Sequence, residues 1–162
     1  MRTNRSIIAT AAAALVAMTA AGIVVATPAE NVTSSTLGGG WLAEVNILVK
    51  TDPWMAQLRT KGDSTIQVVE NRVAAGGTFG WHSHPGPSVI VVKQGTITFY
   101  RGDDPTCTGA AYSAGQALVD PGNVVHVGRN EGSAEVIVLV TRFLPSGASP
   151  RIDQPANPAC GF

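Results

Sequence analysis

The chain has 162 residues, eleven of them basic and eleven acidic, so its formal net charge at neutral pH is zero. That length suits a single domain. Lysine and arginine are scattered singly along the chain, and the sequence therefore lacks the basic patch that nucleic-acid binding requires.

The N-terminal segment predicts export. Arg2 and Arg5 precede an apolar stretch over residues 7–26, and small residues follow as far as residue 29. This pattern is typical of a secretory signal peptide, so we expect residues 1–29 to be removed and the mature protein to be secreted, without stable membrane association. The alternative is a retained membrane anchor, because about 20 apolar residues are enough to span a bilayer.

The next two segments are predicted to be irregular or briefly helical. Residues 30–45 include a run rich in serine, threonine and glycine, which predicts a flexible lead-in before the folded domain. Over residues 52–58, Asp52 is a suitable N-cap and Pro53 suits the first helical position, so one or two helical turns are expected there.

The remainder of the chain predicts short β-strands. Six segments are rich in valine, isoleucine and threonine and are separated by glycine, proline and aspartate turns: 65–74, 88–93, 96–101, 116–119, 124–127 and 134–143. Many short strands at this spacing favour an all-β sandwich or barrel, and we place that single domain at residues 46–144. The proline-rich tail, residues 145–162, is expected to be irregular.

The chain has two cysteines, Cys107 and Cys160. In an exported protein two cysteines most simply form one disulfide, which would pin the C-terminal tail to the domain. Two free thiols are the alternative. The pair does not form a C-x-x-C motif, so thiol redox catalysis and thiolate metal binding are both poorly supported.

All three histidines of the chain fall in two short segments rich in glycine and proline. His82 and His84 are two residues apart, and on a strand such positions point to the same face. If His126 lies on a neighbouring strand, the three imidazoles can bind one divalent transition metal, since iron, manganese, copper, nickel and zinc all accept imidazole nitrogen. A lone His-x-His pair would otherwise be explained as two exposed or hydrogen-bonded core histidines.

The spacing around His82 and His84 resembles the first motif of the cupin superfamily, G-x5-H-x-H-x3–4-E-x6-G. The flanking glycines of that motif are Gly76 and Gly95 in this chain. Ser88 stands where the motif has glutamate. This departure is important because the resemblance implies a fourth, anionic metal ligand at that position.

The segment around His126 resembles the second cupin motif, G-x5-P-x-G-x2-H-x3-N. Its matching positions are Gly115, Pro121, His126 and Asn130, with Asn123 in place of the central glycine. Asparagine tolerates the left-handed backbone conformation that such a turn requires. Together the two motifs imply a small cupin-type β-barrel, a jelly-roll-like double sheet, over most of the mature chain.

The resemblance implies a metal site of three neutral histidines without a carboxylate. Ser88 is too short to replace glutamate and is expected to orient a metal-bound water, and no acidic residue lies between Glu70 and Asp103. Such a metal would keep its full charge and open positions, as in an oxygenase that acts on a small organic molecule. The alternatives are a non-catalytic protein that binds a small ligand or metal outside the cell, and a structural module with an empty barrel.

Polar residues close to the second motif are interpreted as turn residues. Asp120 precedes Pro121, and Asn130 precedes a Glu-Gly pair, both of which are typical of turns. Trp81 alternates with His82 and is expected to pack in the core or on the barrel exterior. The resemblance further implies that a homodimer can form through edge strands.

Overall fold

The computed structural model describes residues 26–162. The signal-peptide prediction for residues 1–29 therefore lies outside the described residues, apart from its last four positions. Within the described part, strands and turns make up the chain, and no helix there is long and apolar enough to cross a membrane.

Residues 26–162 contain twelve named strands. They are β1 (Glu30–Leu42), β2 (Asn46–Lys50), β3 (Met55–Arg59), β4 (Ser64–Thr78), β5 (His82–Ser83), β6 (Ser88–Gln94), β7 (Thr96–Arg101), β8 (Ala110–Ser113), β9 (Ala117–Asp120), β10 (His126–Arg129), β11 (Val136–Pro145) and β12 (Ile152–Asp153). Ten of them join one antiparallel sheet that forms a nearly closed barrel, and β2 and β3 form a separate hairpin. The all-β barrel that the sequence predicts is confirmed.

The barrel wall is built around β4 and β11. β4 pairs with β1 on one side and with β11 on the other, and β11 continues to β6 and then β9. β10 pairs with β7 and with the short β5. The barrel interior is filled by buried branched side chains: Val73, Ile90, Val92, Ile97, Val136, Val138 and Val140. These side chains fix the register, because a shift by one residue would turn them outward.

The prediction of a flexible lead-in over residues 30–45 is wrong for most of that segment. Its first thirteen residues form β1, which pairs antiparallel with β4. The pairing uses backbone groups, which serine, threonine and glycine supply as well as any other residue. A Cβ atom at Gly39 would lie 2.9 Å from the Ile66 carbonyl oxygen. This glycine therefore allows two backbones to approach closely, rather than making the segment flexible.

The prediction of helical turns over residues 52–58 is wrong. β2 and β3 form a hairpin, and the Asp52–Pro53 peptide bond in its turn is cis. The Thr51 N–H donates to the Trp54 carbonyl over 2.7 Å and closes the turn. Aspartate followed by proline suits a tight turn as well as a helix start, and the pairing of the flanking strands decides between the two.

The C-terminal tail is anchored to the barrel at several points. The expected disulfide between Cys107 and Cys160 is present. The tail is more regular than predicted, because β12 pairs with β5. At the end of the chain, the Trp81 indole N–H donates to the Phe162 carbonyl over 3.1 Å, and the two rings stack. Trp81 is fully buried, so of the two positions expected for it the core is the observed one.

Candidate metal centre

The three histidines of the chain converge on one point inside the barrel. His82 on β5 lies directly opposite His126 on β10, and His84 follows shortly after β5. Their ring centres are 4.4 to 5.3 Å apart, and one nitrogen from each ring lies within 4.8 Å of the others. All three side chains are buried. We refer to these three residues as the histidine cluster.

Two turns hold the segments of the histidine cluster side by side. The Asn123 N–H donates to the His84 carbonyl over 2.7 Å, which joins the turn before β10 to the segment after β5. Gly122 has a φ of 77°, and a Cβ atom there would lie 2.7 Å from the Gly86 carbonyl carbon. Asn123 has a φ of 51°, the left-handed conformation expected at this position of the motif. The close approach of these two turns therefore fixes His126 beside His84.

Hydrogen bonds determine which ring nitrogen of each histidine carries the proton. In each ring Nδ1 lies 2.5 to 2.9 Å from a backbone carbonyl oxygen: Gly80 for His82, Pro150 for His84 and Val124 for His126. A carbonyl oxygen only accepts, so each Nδ1 must donate a hydrogen. In a neutral ring with its hydrogen on Nδ1, the Nε2 atom carries no hydrogen and has a free lone pair. Metal-binding histidines adopt this arrangement, with the second nitrogen donating to a carbonyl or carboxylate.

Burial keeps two of these rings neutral. Desolvation is the main cause that lowers the pKa of His82 to about 2, and the neighbouring His126 ring lowers it further. Desolvation is also the largest cause that lowers the pKa of His84 below its usual value of 6.5. Both rings are therefore neutral at pH 7, and neutral imidazole is the form that binds a metal ion.

A small cavity adjoins the histidine cluster. Its volume is about 30 Å³, enough for about two water molecules. Apolar side chains such as Phe99 and Ile90 form much of its wall, and Arg142 supplies a positive charge. Arg142 Nη1 donates to Gln67 Oε1 over 3.0 Å, whereas its Nε is buried without a hydrogen-bond partner among residues 26–162. The cavity thus combines an apolar wall with one cationic group that has an unused donor.

The sequence interpretation missed Asp120 as a neighbour of the histidine cluster. Asp120 Oδ2 lies 3.7 Å from Nε2 of His84, and Oδ1 lies 3.8 Å from Nδ1 of His126. The turn role expected for Asp120 is present as well, since Oδ1 accepts from the Gly122 N–H over 3.0 Å. Strand register is the signal that could have revealed it, because Ser88 on β6 pairs directly with Asp120 on β9.

Two further residues of the motifs, Ser88 and Asn130, are buried polar residues. Ser88 is buried, and its hydroxyl has no hydrogen-bond partner in the described part of the chain. Asn130 is also buried, and its amide nitrogen lies within 3.0 Å of three backbone carbonyl oxygens. Its Oδ1 accepts from the Gly132 N–H, as a turn residue would. Asn130 therefore joins the turn between β10 and β11 to β4, and this role is structural.

The residues present fit a divalent transition metal ion. Three imidazole nitrogens are a ligand set that zinc, copper, iron and nickel accept. The buried Asp120 Oδ2, which has no hydrogen-bond partner among residues 26–162, independently fits a cation at this place. The histidine cluster could therefore hold one such ion.

Comparison with solved structures finds matches of low sequence identity. A conserved protein of unknown function from Streptococcus pyogenes is 16% identical, with 72% of this chain and 76% of that chain covered and a TM-score of 0.47. A cupin superfamily protein from Desulfitobacterium hafniense is 14% identical, with 68% and 81% covered and a TM-score of 0.44. An oxalate oxidase in complex with the substrate analogue glycolate is 21% identical, with 54% and 45% covered and a TM-score of 0.46. No curated protein is significantly similar to the chain in sequence.

Comparison with protein families gives a match to the family described as Cupin domain, over residues 69–142. The matched segment includes both motifs, all three histidines and Asp120. The barrel and the order of the two motifs agree with this match. Residues 69–142 of the chain therefore form a domain of the cupin superfamily.

Proposed function

We propose that this protein is an exported cupin that binds one divalent transition metal ion through Nε2 of His82, His84 and His126. The observation that carries the proposal is the hydrogen bonding of the rings, since each Nδ1 donates to a backbone carbonyl and leaves Nε2 as a lone pair. Two histidines with lowered pKa values are neutral at pH 7, so binding would not require them to lose a proton.

The ligand set is compatible with zinc, copper, iron and nickel, and we include manganese among the candidate metals. When bound, such an ion supplies Lewis acidity and, for the redox-active members of that group, access to a second oxidation state. The neighbouring residues supply the other contacts. Phe99 and Ile90 give the cavity an apolar wall. The hydroxyl of Ser88, which is buried without a partner among residues 26–162, can orient a water molecule.

The proposed partner is a small organic anion. Arg142 is a permanent cation beside the cavity, and its Nε has no hydrogen-bond partner within residues 26–162. A carboxylate bound there would satisfy that donor with a charge-assisted hydrogen bond. The cavity of about 30 Å³ favours a molecule of few atoms.

Two activities are compatible with such a site. In the first, the protein is an oxygenase that oxidises the small anion at the metal. In the second, it is a non-catalytic extracellular protein that captures the ligand or the metal. The second activity is favoured by the small size of the cavity, which leaves little space for two reactants together.

The proposal of export rests on the N-terminal segment and on the disulfide. Arg2, Arg5 and the apolar run over residues 7–26 are typical of a signal peptide. The disulfide between Cys107 and Cys160 is compatible with an oxidising, extracellular location.

Metal titration tests the proposed function. Metal-free protein that begins near residue 30 is titrated with Mn²⁺ and, separately, with Zn²⁺, and heat release and thermal unfolding are recorded. We expect one equivalent to bind and the folded state to gain about 2.7 kcal/mol when free metal is 100 times the dissociation constant. Absence of binding for both ions, together with an unchanged melting temperature, would contradict the proposal.

Oxygen uptake separates the two activities. The metal-loaded protein is incubated with a panel of small carboxylic acids, and dissolved oxygen is followed with an electrode. An oxygenase consumes oxygen in proportion to one added acid, and it stops when the metal is chelated. A binding protein leaves oxygen unchanged but gives a saturable calorimetric signal with the acid. If neither is observed, the small-anion partner is wrong.

A further inference from the structure

We propose that Asp120 supplies a fourth, anionic ligand to the metal from β9, in place of a ligand at position 88 on β6. The inference deepens the proposed function and rests on it. Its basis is the position of a buried carboxylate beside the histidine cluster, opposite a serine that leaves space for it.

The strand register places Asp120 and Ser88 on the same face of the barrel wall. They are direct partners in the antiparallel β6–β9 pair, and directly opposed side chains point to the same side of a sheet. Ser88 is 1% exposed and Asp120 6%, whereas the neighbouring Val89 and Val119 are 41% and 65% exposed. Both polar side chains therefore point into the barrel.

The two carboxylate oxygens of Asp120 have different surroundings. Oδ1 accepts a hydrogen bond from the Gly122 N–H, which holds the carboxylate in place. Oδ2 is buried without a hydrogen-bond partner and lies 3.7 Å from Nε2 of His84. In the neutral His84 ring Nδ1 carries the hydrogen, so this contact brings a carboxylate oxygen close to the lone pair of Nε2.

Two facing acceptors repel each other unless a cation lies between them. Desolvating a carboxylate is costly when it is left without a countercharge. Arg142 is the partner of Ser88 on β11 and attracts the Asp120 carboxylate at longer range. Among the described residues, however, no ion pair within 4.0 Å joins Arg142 to Asp120. A metal ion bound to Nε2 of His84 would give Oδ2 its missing partner.

The serine at position 88 makes this arrangement possible. A glutamate there would extend into the barrel interior, next to the Asp120 carboxylate, and the two like charges would repel each other. Ser88 is short, and its own hydroxyl is buried without a partner among residues 26–162. The site thus has one negative charge, which the Asp120 carboxylate supplies from β9 instead of a side chain on β6.

The added carboxylate changes which metals are favoured. Three imidazoles alone suit zinc and copper, whereas a carboxylate oxygen suits manganese and iron better. One negative ligand also reduces the net charge of a divalent site from +2 to +1. The affinity for Mn²⁺ should therefore depend on Asp120 more strongly than the affinity for Zn²⁺ does.

The test compares the Asp120→Asn variant with the unchanged protein by titration with Mn²⁺ and Zn²⁺. Asparagine keeps the shape and can still accept from the Gly122 N–H, but it removes the charge. We expect the Mn²⁺ affinity to fall at least about tenfold, with a smaller loss for Zn²⁺. The melting temperature of the metal-free variant should be unchanged or higher, because the buried carboxylate without a partner is gone. Equal Mn²⁺ affinities of the two proteins would overturn the proposal.

Two more variants complete the test: a matched control at an exposed aspartate, and a variant that moves the carboxylate from position 120 to position 88. Asp153→Asn removes an exposed carboxylate opposite His82 in register, and it should change Mn²⁺ affinity by less than about threefold because exposed charges are screened. Ser88→Glu in the Asp120→Asn background should restore Mn²⁺ affinity, because it returns a carboxylate to the same face.

An equal loss for Asp153→Asn and Asp120→Asn would mean that long-range charge alone acts, and would overturn the ligand role. Failure of the unchanged protein to bind either ion would overturn the proposed function as well.

Discussion

Replacement of His126 by alanine is expected to release the metal, although His126 is distant in sequence from His82 and His84. The three rings lie 4.4 to 5.3 Å apart, and a divalent ion held by all three loses one of its ligands. Loss of a residue that only hydrogen-bonds to a metal ligand lowers metal affinity about 10- to 100-fold. Because His126 is itself a proposed ligand, we expect its loss to lower the metal affinity by more than that. Calorimetric titration of metal-free protein measures it.

The control for His126→Ala is truncation of an exposed side chain on a strand that does not pair with β10. The chain has no histidine outside the cluster, so Val119→Ala on β9, which is 65% exposed, serves this purpose. It should keep the metal affinity of the unchanged protein. Unchanged metal occupancy in His126→Ala would contradict a site shared by the three histidines.

Removal of the disulfide by Cys107→Ala with Cys160→Ala is expected to destabilise the protein by about 4 kcal/mol in the chain-entropy model. The crosslink joins residues 53 positions apart, so without it the unfolded chain gains considerable freedom. The metal affinity should also fall, because the tail supplies the Pro150 carbonyl that holds the His84 ring. Denaturant unfolding measures the first effect, and titration measures the second.

The reduced form of the unchanged protein is the control for this variant. It should show the same loss of stability, which recovers on reoxidation. Mass spectrometry of the purified protein under non-reducing conditions should find no free thiol. A fully alkylated pair of cysteines, or a loss of stability below about 1 kcal/mol, would contradict the structural role of the disulfide.

The barrel core could be predicted from the sequence because its signals are local. β6 and β11 are rich in valine and isoleucine, and the turns between strands carry glycine, proline or aspartate. The strand predicted over residues 96–101 has the observed bounds of β7. The convergence of the histidines was predictable from two motifs, since each motif fixes a turn geometry and the side-chain direction next to it.

Other features could not be predicted because they depend on partners distant in the chain. β1 has no apolar alternation in its glycine-rich half, and its pairing with β4 depends on backbone groups. The residues after Asp52 suit a helix start or a hairpin equally well. Asp120 was interpreted as a turn residue, which it is, but its approach to His84 follows from the β6–β9 register. A local pattern carries no information about that pairing.

The metal content of the protein, purified without chelators or a histidine tag, tests the central claim most directly. Elemental mass spectrometry should find about one equivalent of iron, manganese, copper, nickel or zinc per chain, the ratio that a single three-histidine site requires. Protein that contains no metal, and that takes up none when these ions are added, would contradict the claim that His82, His84 and His126 form a metal site.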